Sequence, residues 1–279
     1  MEWDVELLKI YISADMEGVS GVIHSEHTAR NGKEHERARM YLTGEVNACI
    51  DGALGAGANE ILVNDSHGTM RNILLDQLNP KAELISGSPK KFAMVEGLDE
   101  SYDAAIFIGY HTRMGSFGVL NHTFHGRVIR TVKINGKEYG EFGLNAAVAG
   151  YYGVPVVMVS GCDLLEKESA ALIPEIEVAV VKKTINRTAA RNLSIQRAQQ
   201  LIRQYTIKAL RKREQIRPFL LNGPLDVEVS FLNTGLADYA EILPIVTRNN
   251  PNSIIFRAEH ILEAYRYIRS LILMVNNAI

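Results

Sequence analysis

The sequence predicts an α/β fold: a largely parallel sheet flanked by helices, with a smaller C-terminal α+β domain. Three observations carry this expectation. Short apolar runs alternate with longer amphipathic ones through the first two thirds of the chain, the rhythm of β-α-β units. Three of those runs end in acidic or imidazole residues, as Asp15-Met16-Glu17, Asn64-Asp65-Ser66-His67-Gly68 and Gly109-Tyr110-His111. Open parallel sheets bind ligands beyond the carboxyl ends of their strands. After Lys183 the rhythm changes to a long helical stretch followed by mixed short elements.

In chain order, 10–14 reads as a buried strand. Asp15 and Glu17 lie two apart after it and so leave on one side, and Gly18 lets the backbone turn. Helix 34–54 follows, with Ala38, Leu42, Val46, Cys49, Ile50 and Ala53 at helical spacing and Gly55-Ala56-Gly57 ending it. Strand 61–64 comes next, then a short helix over 69–78 stopped by Asn79-Pro80. Further strands are expected at 104–109, 128–134, 155–160 and 178–182. Lys133-Ile134-Asn135-Gly136-Lys137 reads as a hairpin, and Glu141 opens a helical stretch. A long helix is expected over 186–215, then a strand at 227–232, a short helix at 234–243, a strand at 253–256 and a terminal helix from His260. The expected division is a metal-binding catalytic domain over 1–185 and a smaller α+β domain over 186–279, although no Pro/Gly/Ser-rich linker marks it. The leading segment Met1-Glu2-Trp3-Asp4-Val5-Glu6 carries no motif and is expected to be a loose terminus.

Composition narrows the class. Apolar residues make up 47% of the 279 and charged residues 22%, the balance of an ordinary globular enzyme. A net charge of −2 implies no pull toward nucleic acid or anionic lipid. The basic residues Lys208, Arg211, Lys212 and Arg213 read as a solvated helix face. Two cysteines, Cys49 and Cys162, have no metal-type spacing and fit a reducing compartment. The acidic start is unlike a signal peptide, and no apolar run approaches the roughly 20 residues that span a bilayer. A cytoplasmic location, without membrane or nucleic-acid partners, is therefore expected.

The chemistry-bearing residues are Asp15, Glu17, His67, His111 and Glu141. Taken singly each has a bland explanation: Asp15 and Glu17 could cap a turn, and His67 could cap a following helix. Together at one sheet edge, carboxylates and imidazoles suit zinc or another first-row divalent metal. Three carboxylates and two histidines, with one carboxylate bridging, suffice for two ions. Such a site polarises a carbonyl and generates hydroxide near neutral pH.

These residues also carry a resemblance. Ser13-Ala14-Asp15-Met16-Glu17-Gly18-Val19-Ser20-Gly21, Asn64-Asp65-Ser66-His67-Gly68, Gly109-Tyr110-His111 and Gly140-Glu141-Phe142-Gly143-Leu144-Asn145-Ala146 resemble the motifs of the D-aminopeptidase DppA family, peptidase family M55. The likeness extends nearly end to end, through Leu84-Ile85-Ser86-Gly87, Val154-Pro155-Val156 and Val229-Ser230-Phe231-Leu232-Asn233. It implies a zinc-dependent aminopeptidase acting on short peptides with an N-terminal D-residue, assembled as a closed ring-shaped homo-oligomer. It also implies two zinc ions per chain: Asp15 bridging, Glu17 and His111 on one ion, His67 and Glu141 on the other. The catalytic histidine falls on His122, as general acid or base, oxyanion stabiliser or nucleophile; His125 has no counterpart and reads as structural or surface. Where the family often has Gly-Asp-Asp, this chain has Gly161-Cys162-Asp163, and Cys162 reads as a small buried side chain. Asp65, or a metal-bound carboxylate, is a candidate anchor for the substrate's amino group.

Two rival readings differ in class. A dinuclear phosphoesterase usually has Asp-x-His on its first strand and an Asn-His-Asp/Glu triplet later; this chain has Asp-x-Glu and no triplet. A peptide-binding module without catalysis would be marked by loss of a ligand, and none of the five is lost.

Overall fold

The computed structural model describes residues 7–276; the expected loose terminus at 1–6 lies outside them. In chain order the elements are β1 (Leu8–Ala14), α1 (Ser25–Thr28), α2 (His35–Gly55), β2 (Ala58–Asp65), β3 (Glu83–Ile85), β4 (Ala104–Ile108), β5 (Ile129–Ile134), β6 (Lys137–Tyr139) and α3 (Glu141–Tyr151). They continue with β7 (Val156–Cys162), α4 (Asp163–Ala170), β8 (Glu177–Asn186), β9 (Ala189–Asn192), α5 (Ile195–Arg211), β10 (Leu225–Phe231), α6 (Thr234–Ala240), β11 (Thr247–Asn250), β12 (Ser253–Ala258) and α7 (Ile261–Asn276).

The first sheet has the order β3-β2-β1-β4-β7-β8-β9. Its pairings are parallel except at the β9 edge. Its middle strands are apolar on both faces because helices cover both; β4 and β7 are buried along their whole length. From β1 the chain winds outward through β2 and β3, then returns to start β4 on the other side of β1. The reversal opens a crevice between the ends of β1 and β4. Register does the rest: Ala14 pairs with Asp65 on one side and Ile108 on the other. The residues that follow all three strands therefore emerge level with one another.

The second sheet is antiparallel, β11-β12-β10-β5-β6. Its β5–β6 hairpin turns through Asn135 and Gly136, both at positive φ, as two-residue turns of this kind require. α7 packs on α3 and against β10 and β12, which joins the two sheets across a helical layer. The expected division at 185 falls inside β8, and the second sheet takes β5 and β6 from before that point.

Two expected helices differ. Residues 69–78 form turns, because the Asp65 carboxylate accepts the N–H groups of Asn72 and Ile73 that a helix would direct inward. Met70 also sits at φ +57°, outside the helical region. The stretch from 186 first folds back as β9 on β8, and α5 starts only at Ile195, capped by Ser194. Lys208 on α5 and Lys212, which follows it, pair with Glu177. Cys162 is buried at the end of β7, as expected for a small apolar side chain, and Cys49 is buried in α2. Among the described residues no helix is long and apolar enough to cross a membrane.

Candidate metal centre

Asp15 and Glu17 sit in the tight turn after β1, His67 follows β2, His111 follows β4, and Glu141 opens α3. All five are less than a tenth exposed. Two glycines let the turns touch: a Cβ on Gly18 would run into the carbonyl of Tyr110, and one on Gly109, at φ +70°, into that of Asp15. Gly18 is needed for this close approach rather than for a left-handed turn. Backbone bonds lock the turns, from Asp15 N–H to Ile108 O (2.8 Å) and from Gly18 N–H to Gly109 O (2.7 Å).

The side chains converge. His67 Nδ1 lies 3.2 Å from Asp15 Oδ1 and 2.9 Å from Glu17 Oε2. His111 Nε2 lies 3.4 Å from both Asp15 Oδ2 and Glu141 Oε1. His122 stacks on His111 with ring centroids 4.2 Å apart, and its Nε2 is 3.6 Å from Glu141 Oε1. All six residues expected from the sequence thus meet in one place.

Backbone carbonyls orient the three imidazoles. His67 donates from Nε2 to Thr28 O (2.9 Å), His111 from Nδ1 to Thr112 O (2.9 Å), and His122 from Nδ1 to Leu120 O (2.9 Å). Each ring therefore turns its other nitrogen into the cluster, where the unprotonated form offers a lone pair, the arrangement that prepares histidine for a metal or a proton.

Three carboxylates in one buried volume need positive charge nearby. Burial, and then Glu17, pushes the Asp15 carboxyl up to about 7. Burial would raise Glu17 as well, but the His67 cation outweighs it and holds Glu17 well below the usual range. Burial would lower His111, but Glu141 and Asp15 lift it to about 10. His122 is pushed below its ordinary value by burial and by the His111 cation.

The cluster fits a metal. Among the described residues Asp15 Oδ2, Glu17 Oε2 and His111 Nε2 are buried with ion-pair contacts of 2.9–3.4 Å but no hydrogen bond of good geometry, so with neutral imidazoles the carboxylates would lack the cation that such burial demands. Ligand atoms of these same three residues lie within 4.8 Å of one another, as do those of His111, His122 and Glu141. The second group contains His122, which the sequence had set apart from the ligands.

The walls show features that motif reading missed. Ser13 Oγ, Tyr110 Oη, Asn145 and Tyr265 Oη form a buried chain of hydrogen bonds of 2.7–2.9 Å, tying β1 and β4 to α3 and α7 behind the cluster. Met70, Ala93, Leu120 and Phe124 all have positive φ. Met70, Ala93 and Phe124 line the adjoining cavity of about 610 Å³, and Leu120 orients His122. Strain of this kind collects at functional sites. His125 also lines the cavity, so it is not merely a surface group. Asp65 does not line it: both its oxygens are taken by Asn72 and Ile73, which removes it as an anchor for substrate.

Lys182 on β8 has no sequence signal beyond its place in an apolar strand. Its buried ammonium donates to the carbonyls of Glu17 (2.5 Å), Val19 (3.0 Å) and Val22 (2.6 Å), using all three N–H groups to hold the turn that carries Glu17. Burial lowers it to about 8, so it is still charged at neutral pH. Lys182→Met strands three buried carbonyls and is expected to cost at least about 3 kcal/mol. A lowered urea midpoint at unchanged slope would show it; an unchanged midpoint would contradict it.

Comparison with known proteins follows the same lines. The sequence model of the peptidase M55 family, described as D-aminopeptidase, matches residues 8–270. A D-aminopeptidase of Bacillus subtilis (strain 168) is 41% identical over 260 residues, covering 93% of this chain and 94% of that protein. The solved structure of the Zn-dependent D-aminopeptidase DppA from Bacillus subtilis, described as a self-compartmentalizing protease, superposes with a TM-score of 0.94 at 38% identity. That superposition covers 96% of this chain and 98% of the other.

Proposed function

The chain belongs to the peptidase M55 family of D-aminopeptidases, and from that membership we propose that it is a zinc-dependent aminopeptidase removing an N-terminal D-residue from short peptides. The observation that carries this reading is the buried cluster of ligand-type side chains at the β1/β4 crevice, beside a cavity of peptide-binding size that Asp15, His67, His122 and Glu141 line. In the proposed assignment two ions would be held by Asp15, shared between them, with Glu17 and His111 completing one set of ligands and His67 and Glu141 the other. Bound there, zinc would supply Lewis-acid polarisation of the scissile carbonyl and a lowered pKa for water.

The remaining work falls to the chain. His122 is held by Leu120 O with its proton on Nδ1, so its neutral ring presents a lone pair at Nε2. It therefore acts as a base, taking a proton from the attacking water at Nε2 and passing it to the leaving amine. Stacking on His111 and the lowered pKa keep it neutral and ready to accept. The Phe124 N–H, donating to Glu141 Oε1 at 2.6 Å, fixes the loop that carries His122 over the cluster.

The test is to load the protein with zinc, desalt it, count ions by native mass spectrometry, and assay D-Ala-D-Ala against L-Ala-L-Ala. Two ions per chain, preference for the D-dipeptide and loss of turnover on chelation are expected. Preference for the L-dipeptide, or a single ion per chain, would sink the corresponding half of the reading. A self-compartmentalizing neighbour supports a ring-shaped homo-oligomer with its sites facing inward. The same spectra report its copy number.

A further inference from the structure

The cavity is lined by groups of both charges: the carboxylates of Asp15 and Glu141, and the guanidinium groups of Arg30, Arg71 and Arg269. The arginine ion pairs among the described residues belong to Arg39, Arg113, Arg213 and Arg248. Among the described residues the three cavity arginines thus have no carboxylate of their own. Arg30 and Arg71 are exposed, and Arg30 has a long contact, 3.5 Å, to Thr69 Oγ1. Arg269 differs: it is half-buried on α7, with Nη2 3.4 Å from Ser88 Oγ and Nε buried without a hydrogen-bond partner among the described residues.

A guanidinium keeps its charge and presents its N–H groups as a planar fork that matches a carboxylate. Arg269 lines a substrate-sized cavity, is only partly exposed and forms no ion pair among the described residues, so its guanidinium points to an anionic ligand group that pairs with it. If the Asp15/Glu141 cluster takes the amino-terminal part of a peptide, as the proposed function requires, the group left to pair with Arg269 is the carboxylate at the other end of a short peptide.

We propose that Arg269, with Ser88 beside it, binds the C-terminal carboxylate of the substrate and so selects short peptides with a free carboxyl end. This rests on the aminopeptidase reading for the substrate's orientation. It makes Arg269 a specificity residue that contacts substrate remote from the scissile bond. Binding lost there is lost equally from ground and transition states, which raises KM and leaves kcat in place.

The experiment compares D-Ala-D-Ala with its C-terminal amide on the zinc-loaded protein and on Arg269→Gln, Arg269→Lys and an Arg30→Gln/Arg71→Gln double variant. For the wild type, KM should be lower for the free acid than for the amide. Arg269→Gln should raise KM for the acid by about 10- to 100-fold, the worth of a charge-assisted hydrogen bond, with kcat, zinc content and KM for the amide unchanged. Arg269→Lys, which keeps the charge but not the fork, should fall between. Equal KM values for acid and amide in the wild type would overturn the proposal while leaving the aminopeptidase reading intact. An effect confined to the Arg30/Arg71 variant would overturn the assignment to Arg269. If neither dipeptide is hydrolysed, the proposed function fails; calorimetric Kd values for the same ligands and variants then decide the carboxylate site alone.

Discussion

Asp15→Ala is expected to remove bound zinc and to lower turnover of a D-dipeptide by at least about 10³-fold, since metal stabilisation of a developing charge is worth several kcal/mol. The size of the effect follows from position. Among the described residues Asp15 is the one carboxylate within 3.4 Å of both His67 and His111, and its Oδ2 accepts no hydrogen bond there. Its loss would leave Glu17 and Glu141 without the group that lies between their histidines. Asp15→Asn keeps the volume and removes the charge, so it separates ligand loss from a cavity effect. Native mass spectrometry and zinc titration read the metal; the denaturant midpoint reads the fold. A variant that kept two ions and full turnover would show that the bridging assignment is wrong.

His122→Ala is expected to behave differently, keeping its zinc while kcat falls by about 10²- to 10⁴-fold, the usual span for loss of a general base. The contrast is demanding, because His122 Nε2 lies with His111 and Glu141 in a group compact enough to hold an ion. If His122→Ala loses one zinc per chain, His122 is a ligand and the base must be sought elsewhere. His122→Gln sharpens the test, since it can hold a hydrogen bond at the site but cannot carry a proton. A zinc-replete but slow His122→Gln would assign the proton to Nε2.

Much of this was legible in the residues. The strand that carries Asp15 announces itself as Ile10-Tyr11-Ile12, and α2 shows its buried face at helical intervals. The strands and helices with strong apolar periodicity came out within a few residues of expectation because burial on one face or two leaves a local pattern. Residues 69–78 misled because their pattern suits a helix, while the controlling group, the Asp65 carboxylate, lies outside the stretch and accepts its N–H groups. The strand β9 was missed because its pairing partner, not its own composition, makes it a strand. The expected division of the chain met a sheet that combines β5 and β6 with β10, β11 and β12, a pairing that no local feature announces.

Four members of the cluster were legible in the pattern itself, since Asp15, Glu17, His67 and His111 follow apolar strands whose carboxyl ends share one edge of a parallel sheet; Glu141 was read from the helix it opens, and His122 from the family resemblance alone. What tertiary structure decided is how they meet. The register that levels Asp15 with His67 and His111, the Thr28 carbonyl that turns His67, the reach of Lys182 to the Glu17 turn, and the contact of Arg269 with Ser88 all depend on partners distant in the chain. Distances between side chains are set by packing across the whole core, and packing is not a property of any single segment.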